Sequence, residues 1–291
     1  MIRKLSLALV LALLAAAAAP LAAADIRFEL GFGWTLVGPF MNAKYVNHYQ
    51  PPLTVLSSVP PPPGRYISSS ADQTVHFKAK TTYGLNGFFN VLFSDKVGLQ
   101  VLADYHRPGL GGSNVPYEIE MQFLAFDPET YARSVEWENS TGNLTETTFS
   151  LNALARFGVA ENLSLSVSAG PSVFYFEGKA GHIGYTFFDL AFVDGAYELS
   201  GGTYRMVVEF GPQTRYGMNA GVEAAYLAFR NVILAVDLRW YGAASVELPM
   251  HIVEDPIITV PLEEIESTIG LGSLRVNPSY IRIGLALRFV F

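Results

Sequence analysis

The sequence of 291 residues contains no cysteine. This excludes disulfides, thiolate nucleophiles and thiolate-ligated metal centres. Charge is also scarce: 15% of the residues are Asp, Glu, Lys or Arg, with 19 basic against 26 acidic. A chain this acidic has no bulk positive charge for nucleic-acid phosphates, so no nucleic-acid partner is expected. Past the N-terminus there is no run of about 18 apolar residues, so no membrane-spanning helix is expected. Yet half of the residues are hydrophobic.

The N-terminus has its own pattern. Arg3 and Lys4 precede an apolar run from Leu5 to Ala19, then Pro20 and Ala22-Ala23-Ala24. This is the anatomy of a secretory signal peptide over residues 1–24, cleaved after Ala24. The run is short for a membrane anchor of roughly 20 residues. Without Arg3 and Lys4, 17 basic residues face the 26 acidic ones of the 19:26 total, a net charge of −9. An exported, apolar chain without a helix span leaves a closed barrel as its way to live in a membrane.

The mature segment, residues 25–291, reads as strands. The last, Tyr280 to Phe291, alternates strictly: Ile281, Ile283, Leu285, Leu287, Phe289 and Phe291 on one face, Arg282, Gly284, Ala286 and Arg288 on the other. Ile26 to Val37 has the matching pattern, with Phe28 and Trp34 on the apolar face and Arg27 and Glu29 opposite. Between them lie six more alternating segments, beginning near Tyr83, Val97, Thr147, Leu163, Thr214 and Val232. The expected fold is an all-β, closed antiparallel transmembrane barrel of eight strands. Three short turns alternate with four long connections: short periplasmic turns and long extracellular loops, with both mature termini periplasmic.

Pro171 interrupts the fifth strand and predicts a bulge or an exit from the bilayer there. In the third long segment, alternating residues on both sides of Gly201-Gly202 read as a hairpin. If both flanks spanned the membrane instead, the barrel would have ten strands. The prolines at Pro51-Pro52 and Pro60 to Pro63 read as a stiff surface loop. The apolar loop stretches Leu53 to Leu56, Phe187 to Phe192 and Ile257 to Val260 either pack on one another as a barrel extension or bind something.

The outward aromatics sort by height. Phe28, Phe93, Phe157, Tyr226, Phe289 and Phe291 fall near the short-turn ends; Trp34, Tyr83, Tyr105, Tyr175, Tyr216 and Trp240 fall near the long-loop ends. Two interfacial girdles in outer-membrane lipid follow. The inward face carries Arg27, Glu29, Asp104, Arg156, Glu223, Asp237, Arg239, Arg282 and Arg288 among Gly, Ser and Asn. Eight strands leave a lumen just wide enough for side chains, so an interlocked ion-pair network is expected. Strand position suggests a lower layer around Arg27, Glu29, Arg156 and Arg288, and a middle layer around Glu223, Asp237, Arg239 and Arg282.

These features resemble the eight-stranded outer-membrane barrels of the OmpA, OmpX and OmpW kind, with no subfamily assigned. The resemblance implies that Phe289 and the terminal Phe291 form the signal read by the outer-membrane assembly machinery. It also implies a bacterial outer-membrane location and a non-enzymatic role in surface-loop binding, adhesion or envelope structure. Alternatives are binding or passage of a small hydrophobic molecule at the barrel mouth, as in OmpW-like members, and a narrow channel. An enzyme is the remote reading: Asp104 and His106 share one face, which suits an acid-oriented base, but no serine partner can be assigned. No catalytic residue, metal site or cofactor is expected.

Overall fold

The computed structural model describes residues 26–40, 42–49, 54–55, 66–115, 117–123, 130–135, 140–193, 196–254, 262–263, 266 and 273–291. The signal segment 1–24 lies outside them. The period-2 pattern produces strands: β1 (Arg27–Pro39), β2 (Asn42–Tyr49), β3 (Thr54–Val55), β4 (Tyr66–Ala79), β5 (Thr82–Leu92) and β6 (Val97–His106). There follow β7 (Gly109–Val115), β8 (Tyr117–Phe123), β9 (Thr130–Val135), β10 (Thr141–Ala160) and β11 (Leu163–Val193). The last are β12 (Ala196–Phe229), β13 (Val232–Ala243), β14 (Val246–Glu254), β15 (Ser273–Val276) and β16 (Tyr280–Val290).

Antiparallel ladders join β1 to β5, β5 to β6, β6 to β10 and β10 to β11. They continue from β11 to β12, β13 and β16, and β16 returns to β1. The ring is closed and has eight strands. Following partners round it from Gly38 passes Ile281, Trp240, Ala220, Ala169, Ala153, Leu99 and Val91 and re-enters β1 at Phe28. From position 38 to position 28 the stagger is 10 residues. For eight strands this corresponds to a tilt of roughly 40° and a lumen that side chains fill.

The long connections are not mere loops. β10, β11 and β12 run on past the apolar belt and share a second ring with β7, β4, β2, β15 and β14. Its ladders are β10–β7, β7–β4 and β4–β2, then β15–β14 and β14–β12. The β2–β15 seam rests on the single pair Lys44↔Arg275. A third group, β8 with β9, extends from the far part of β4. The side chains of Leu53 to Leu56, Phe187 to Phe192 and Ile257 to Val260 lie outside the described residues.

Two readings of the sequence need correction. Gly201-Gly202 is not a turn: the pair sits inside β12 opposite Phe188 and Phe187, and the ladder continues to Val193↔Ala196. The dipeptide between those last partners, 194–195, lies outside the described residues. With β11 and β12 forming one long hairpin, the ten-strand alternative falls away. Pro171 makes no bulge either; it keeps register with Met218. Its missing donor is accommodated by a break in the β10–β11 ladder, which passes from Ser150↔Ser172 to Ala153↔Ala169 without a shift. The irregularities come higher, between Phe176 and Gly178 and between Ala180 and Ile183. Opposite the first, Gly211 has φ of +92°, and a Cβ there would lie 2.6 Å from the Phe176 carbonyl oxygen. Only glycine fits this junction between the tiers.

The two tiers have opposite polarity. On β11, Leu165, Val167 and Tyr175 face out while Ser166, Ser168 and Ser172 are buried; then Glu177 and Lys179 face out while Phe174, Phe176 and Ala180 are buried. On β10, Phe149, Leu151 and Phe157 are exposed below, whereas Leu144 is fully buried above. The lower barrel is thus apolar outside and polar inside. The upper tier is built like a water-soluble barrel, with Phe77, Leu110, Phe210, Leu248 and Val276 in its core. A surface exposing this much Leu, Val and Phe in a continuous ring belongs in lipid.

Candidate functional site

The girdle residues occupy two rows on the outside of the lower barrel. Trp34 is 65% exposed and Tyr83 and Tyr216 are 81% and 80%, so these rings lie flat on no neighbour. Tyr105, Tyr175 and Trp240 complete the upper row; Phe28, Phe157, Tyr226 and Phe291 are exposed in the lower one, with Phe93 and Phe289 half-buried beside them. With a rise of about 3.3 Å per residue at a roughly 40° tilt, the rows stand ~20 Å apart. Phe229, 73% exposed, joins the lower row although its parity points inward. A register shift between Leu227 and Phe229 turns it outward, and no signal in the sequence marks that bulge.

Inside, the structure gathers most of the charged residues into two layers. In the lower layer, Arg156 holds Glu29 with two bonds of 2.8 Å, and Asn90 donates a third at 2.8 Å. Arg288 lies 3.1 Å from Glu29 and bonds Glu223 on its other side. Its guanidinium also sits 5.6 Å from the Phe88 ring centre. In the middle layer, Arg282 bridges Asp104 at 2.9 Å and Asp237 at 2.8 Å. Arg239 reaches Asp237 at 3.3 Å, Ser168 at 2.7 Å, Gln100 at 3.2 Å and also Asn219. Four guanidiniums therefore meet four carboxylates.

Two placements differ from the expectation. Glu223 belongs to the lower layer with Arg288, because a stagger of 10 residues carries each neighbouring strand to a different height. Arg27 is not in the lumen at all. It lies below the last layer at the strand end, 49% exposed, and pairs with Asp95 of the turn. Such a rim pair is worth little.

Above the middle layer an aromatic lid closes the axis. Tyr241 and Tyr280 stack with centres 4.4 Å apart; Phe174 meets both edge-on at 6.3 Å and 6.5 Å, and His106 meets Tyr280 at 4.6 Å. The Tyr241 hydroxyl donates to Asp104, and the Tyr280 hydroxyl donates to Thr148 at 3.2 Å. His106 faces Glu146 at 3.5 Å, both buried. Glu146 is a lumen residue missed by the sequence reading, which ended a loop there. Asp104 and His106 thus have separate buried partners, Arg282 and Glu146, instead of forming a base–orienter pair open to substrate. Among the described residues no group of His, Asp and Glu is arranged to hold a metal.

No protein-family model matches the sequence, and no curated protein matches it either. Among solved structures, the outer membrane protein OprG from Pseudomonas aeruginosa is similar over 92% of this chain and 97% of its own, with 10% identity and a TM-score of 0.48. Ail, the attachment invasion locus protein of Yersinia pestis, covers 90% and 98% at 10% identity, with a TM-score of 0.33. The outer membrane protease OmpT from Escherichia coli covers 91% and 96% at 10% identity, with a TM-score of 0.41. Likenesses at this level carry no argument. The class rests on the closed ring and its apolar belt: the chain is an eight-stranded β-barrel of the outer-membrane type.

Proposed function

We propose that this protein is a non-enzymatic, non-conducting outer-membrane barrel that holds a folded β-tier on the cell surface for binding, adhesion or envelope structure. The observation that supports it is the reversal of polarity along β10 and β11. The lower lumen is filled with paired charges, the Tyr241–Tyr280 lid covers them, and an apolar core fills the space above the lid. Among the described residues, side chains occupy the axis in both halves. A channel needs binding weak enough to release an ion, whereas these guanidiniums are held on both sides. Phe289 and Phe291 act as the assembly signal, and both mature termini face the periplasm.

Planar-bilayer recording tests the closed axis. Wild type and Arg282→Ala are both expected to show no unitary steps, the latter because the apolar tier remains; steps in the wild type would defeat the reading. Protease access to the β8–β9 group in intact cells tests the orientation.

One observation favours a second reading, lateral entry of small hydrophobic molecules. β12 pairs with β13 up to Gly217 and with β14 from Phe210, so residues 211–216 have no ladder partner on that side among the described residues. Equal uptake of a hydrophobic fluorophore by vesicles with and without the protein would remove it.

A further inference from the structure

We infer that the outer wall just above the upper girdle carries a binding site for a phosphate-bearing lipid headgroup, centred on Asn143 between β7 and β11. The inference rests on the belt being embedded in lipid. Although the chain is acidic overall, cations converge on this spot. Arg107 donates to Asn143 Oδ1 from Nε at 3.1 Å and from Nη2 at 2.9 Å, which leaves the Asn143 amide protons and the remaining guanidinium protons to face outward. Gly109 is the β7 partner of Asn143, and Gly111 is the next outward position along that strand. Neither has a side chain, so the Lys80 stem crosses them; a Cβ on Gly111 would lie 3.5 Å from Lys80 Cε and one on Gly109 4.0 Å from Cδ. The Lys80 stem thereby lies on the outer face of β7, passing from the level of Asn143 at Gly109 toward Gly111. On the other side, Lys179 is the β11 partner of Asn143.

Of the acids nearby, Glu177 accepts from the Tyr175 hydroxyl at 3.3 Å, and Glu209 lies 3.8 Å from Lys179 and offsets that charge. Lys80 and Arg107 have no carboxylate partner among the described residues. Lys80, Arg107 and the Asn143 amide therefore supply the donors and positive charge of the patch, which suits a phosphate oxygen. Height selects a lipid over a free anion: Tyr105 and Tyr83 lie on the lipid-facing wall just below, where acyl chains begin. A cation above an aromatic ring at an interface is how a lipid headgroup and its chains are held together.

The test uses the full mature barrel folded in detergent, with native mass spectrometry reading lipid binding. The probes are diphosphoryl lipid A, the same lipid with its phosphates removed, inorganic phosphate and heparin. Wild type should retain the phosphorylated lipid roughly tenfold or more tightly than the dephosphorylated one. Lys80→Ala with Arg107→Ala should abolish that preference, Lys80→Arg should keep it, and Lys96→Ala at the opposite rim should not change it. Heat-modifiable gel mobility confirms that each variant is folded. Equal retention of both lipids by the wild type, or a preference that survives the double substitution, overturns the site. Displacement by heparin without any lipid preference makes it a polyanion site and overturns the lipid assignment. Failure of the barrel to enter vesicles at all would instead defeat the membrane reading on which the site rests.

Discussion

Substituting Glu29 by Gln removes one charge from the centre of the lower layer while nearly keeping its volume. Glu29 is 1% exposed and holds Arg156 at 2.8 Å and Arg288 at 3.1 Å. Arg288 would retain Glu223, but Arg156 has no other carboxylate within the network and keeps only the neutral Gln carbonyl oxygen and a 3.4 Å contact to Ser166. Removing one partner from a buried ion pair costs about 3–5 kcal/mol, chiefly because the other charge is left unpaired. Arg156 is 13% exposed, so some relief by water entering from the short-turn end places the expected loss near the lower figure, about 3 kcal/mol. Equilibrium urea unfolding in phospholipid vesicles, followed by tryptophan fluorescence, measures it. The double variant Glu29→Gln/Arg156→Gln should recover at least ~1 kcal/mol of the summed single losses. If Glu29→Gln costs less than about 1 kcal/mol and the cycle shows no coupling, the network does not hold the wall as described.

Arg27→Ala, by contrast, should change stability by less than ~1 kcal/mol, since its pair with Asp95 is exposed at the rim; the same unfolding series reads it. Leu285→Lys, halfway between the two aromatic rows and 63% exposed, should cost about 2–4 kcal/mol in vesicles. Phe174→Ala removes a fully buried ring from beneath the upper core and should cost about 3–5 kcal/mol, with the Tyr241–Tyr280 stack loosened in near-ultraviolet circular dichroism. Gly211→Ala meets both a positive φ and the Phe176 carbonyl, and should destabilise by more than ~1 kcal/mol in urea titration.

The belt was legible in the sequence because lipid demands one thing of every outward position, and alternation displays it residue by residue. Phe28, Trp34, Tyr105 and Tyr226 could be placed at their ends from strand parity alone. The pairing inside was not legible. Glu29 and Arg156 come from β1 and β10, three places apart in the ring, and Glu223 reaches Arg288 across β13. Such partners depend on the stagger, which is a property of the whole closed sheet and of no single strand. The upper tier was hidden for a different reason. Past Tyr175 the apolar residues change faces, so Phe174 and Phe176 fall on the parity that had carried serines, and the pattern looks broken where the strand in fact continues. Gly178, Gly211 and Pro212 strengthened that impression. Pro171 shows the converse: a residue expected to disrupt the ladder leaves register untouched at the cost of two ladder pairs.

The shared strands of the two tiers have a mechanical consequence. β10, β11 and β12 belong to both rings, and no loop separates the part in lipid from the part beyond it. A partner gripped by the far ends would therefore be kept at a set stand-off from the membrane surface, like a fitting on a mast stepped through a deck. The depth of that mast is also fixed. Sinking it by two residues would drag Lys179 and Glu177 toward hydrocarbon, and raising it would lift Val173 and Phe149 into water. Each outer strand is in this sense graduated, and the bilayer reads the scale.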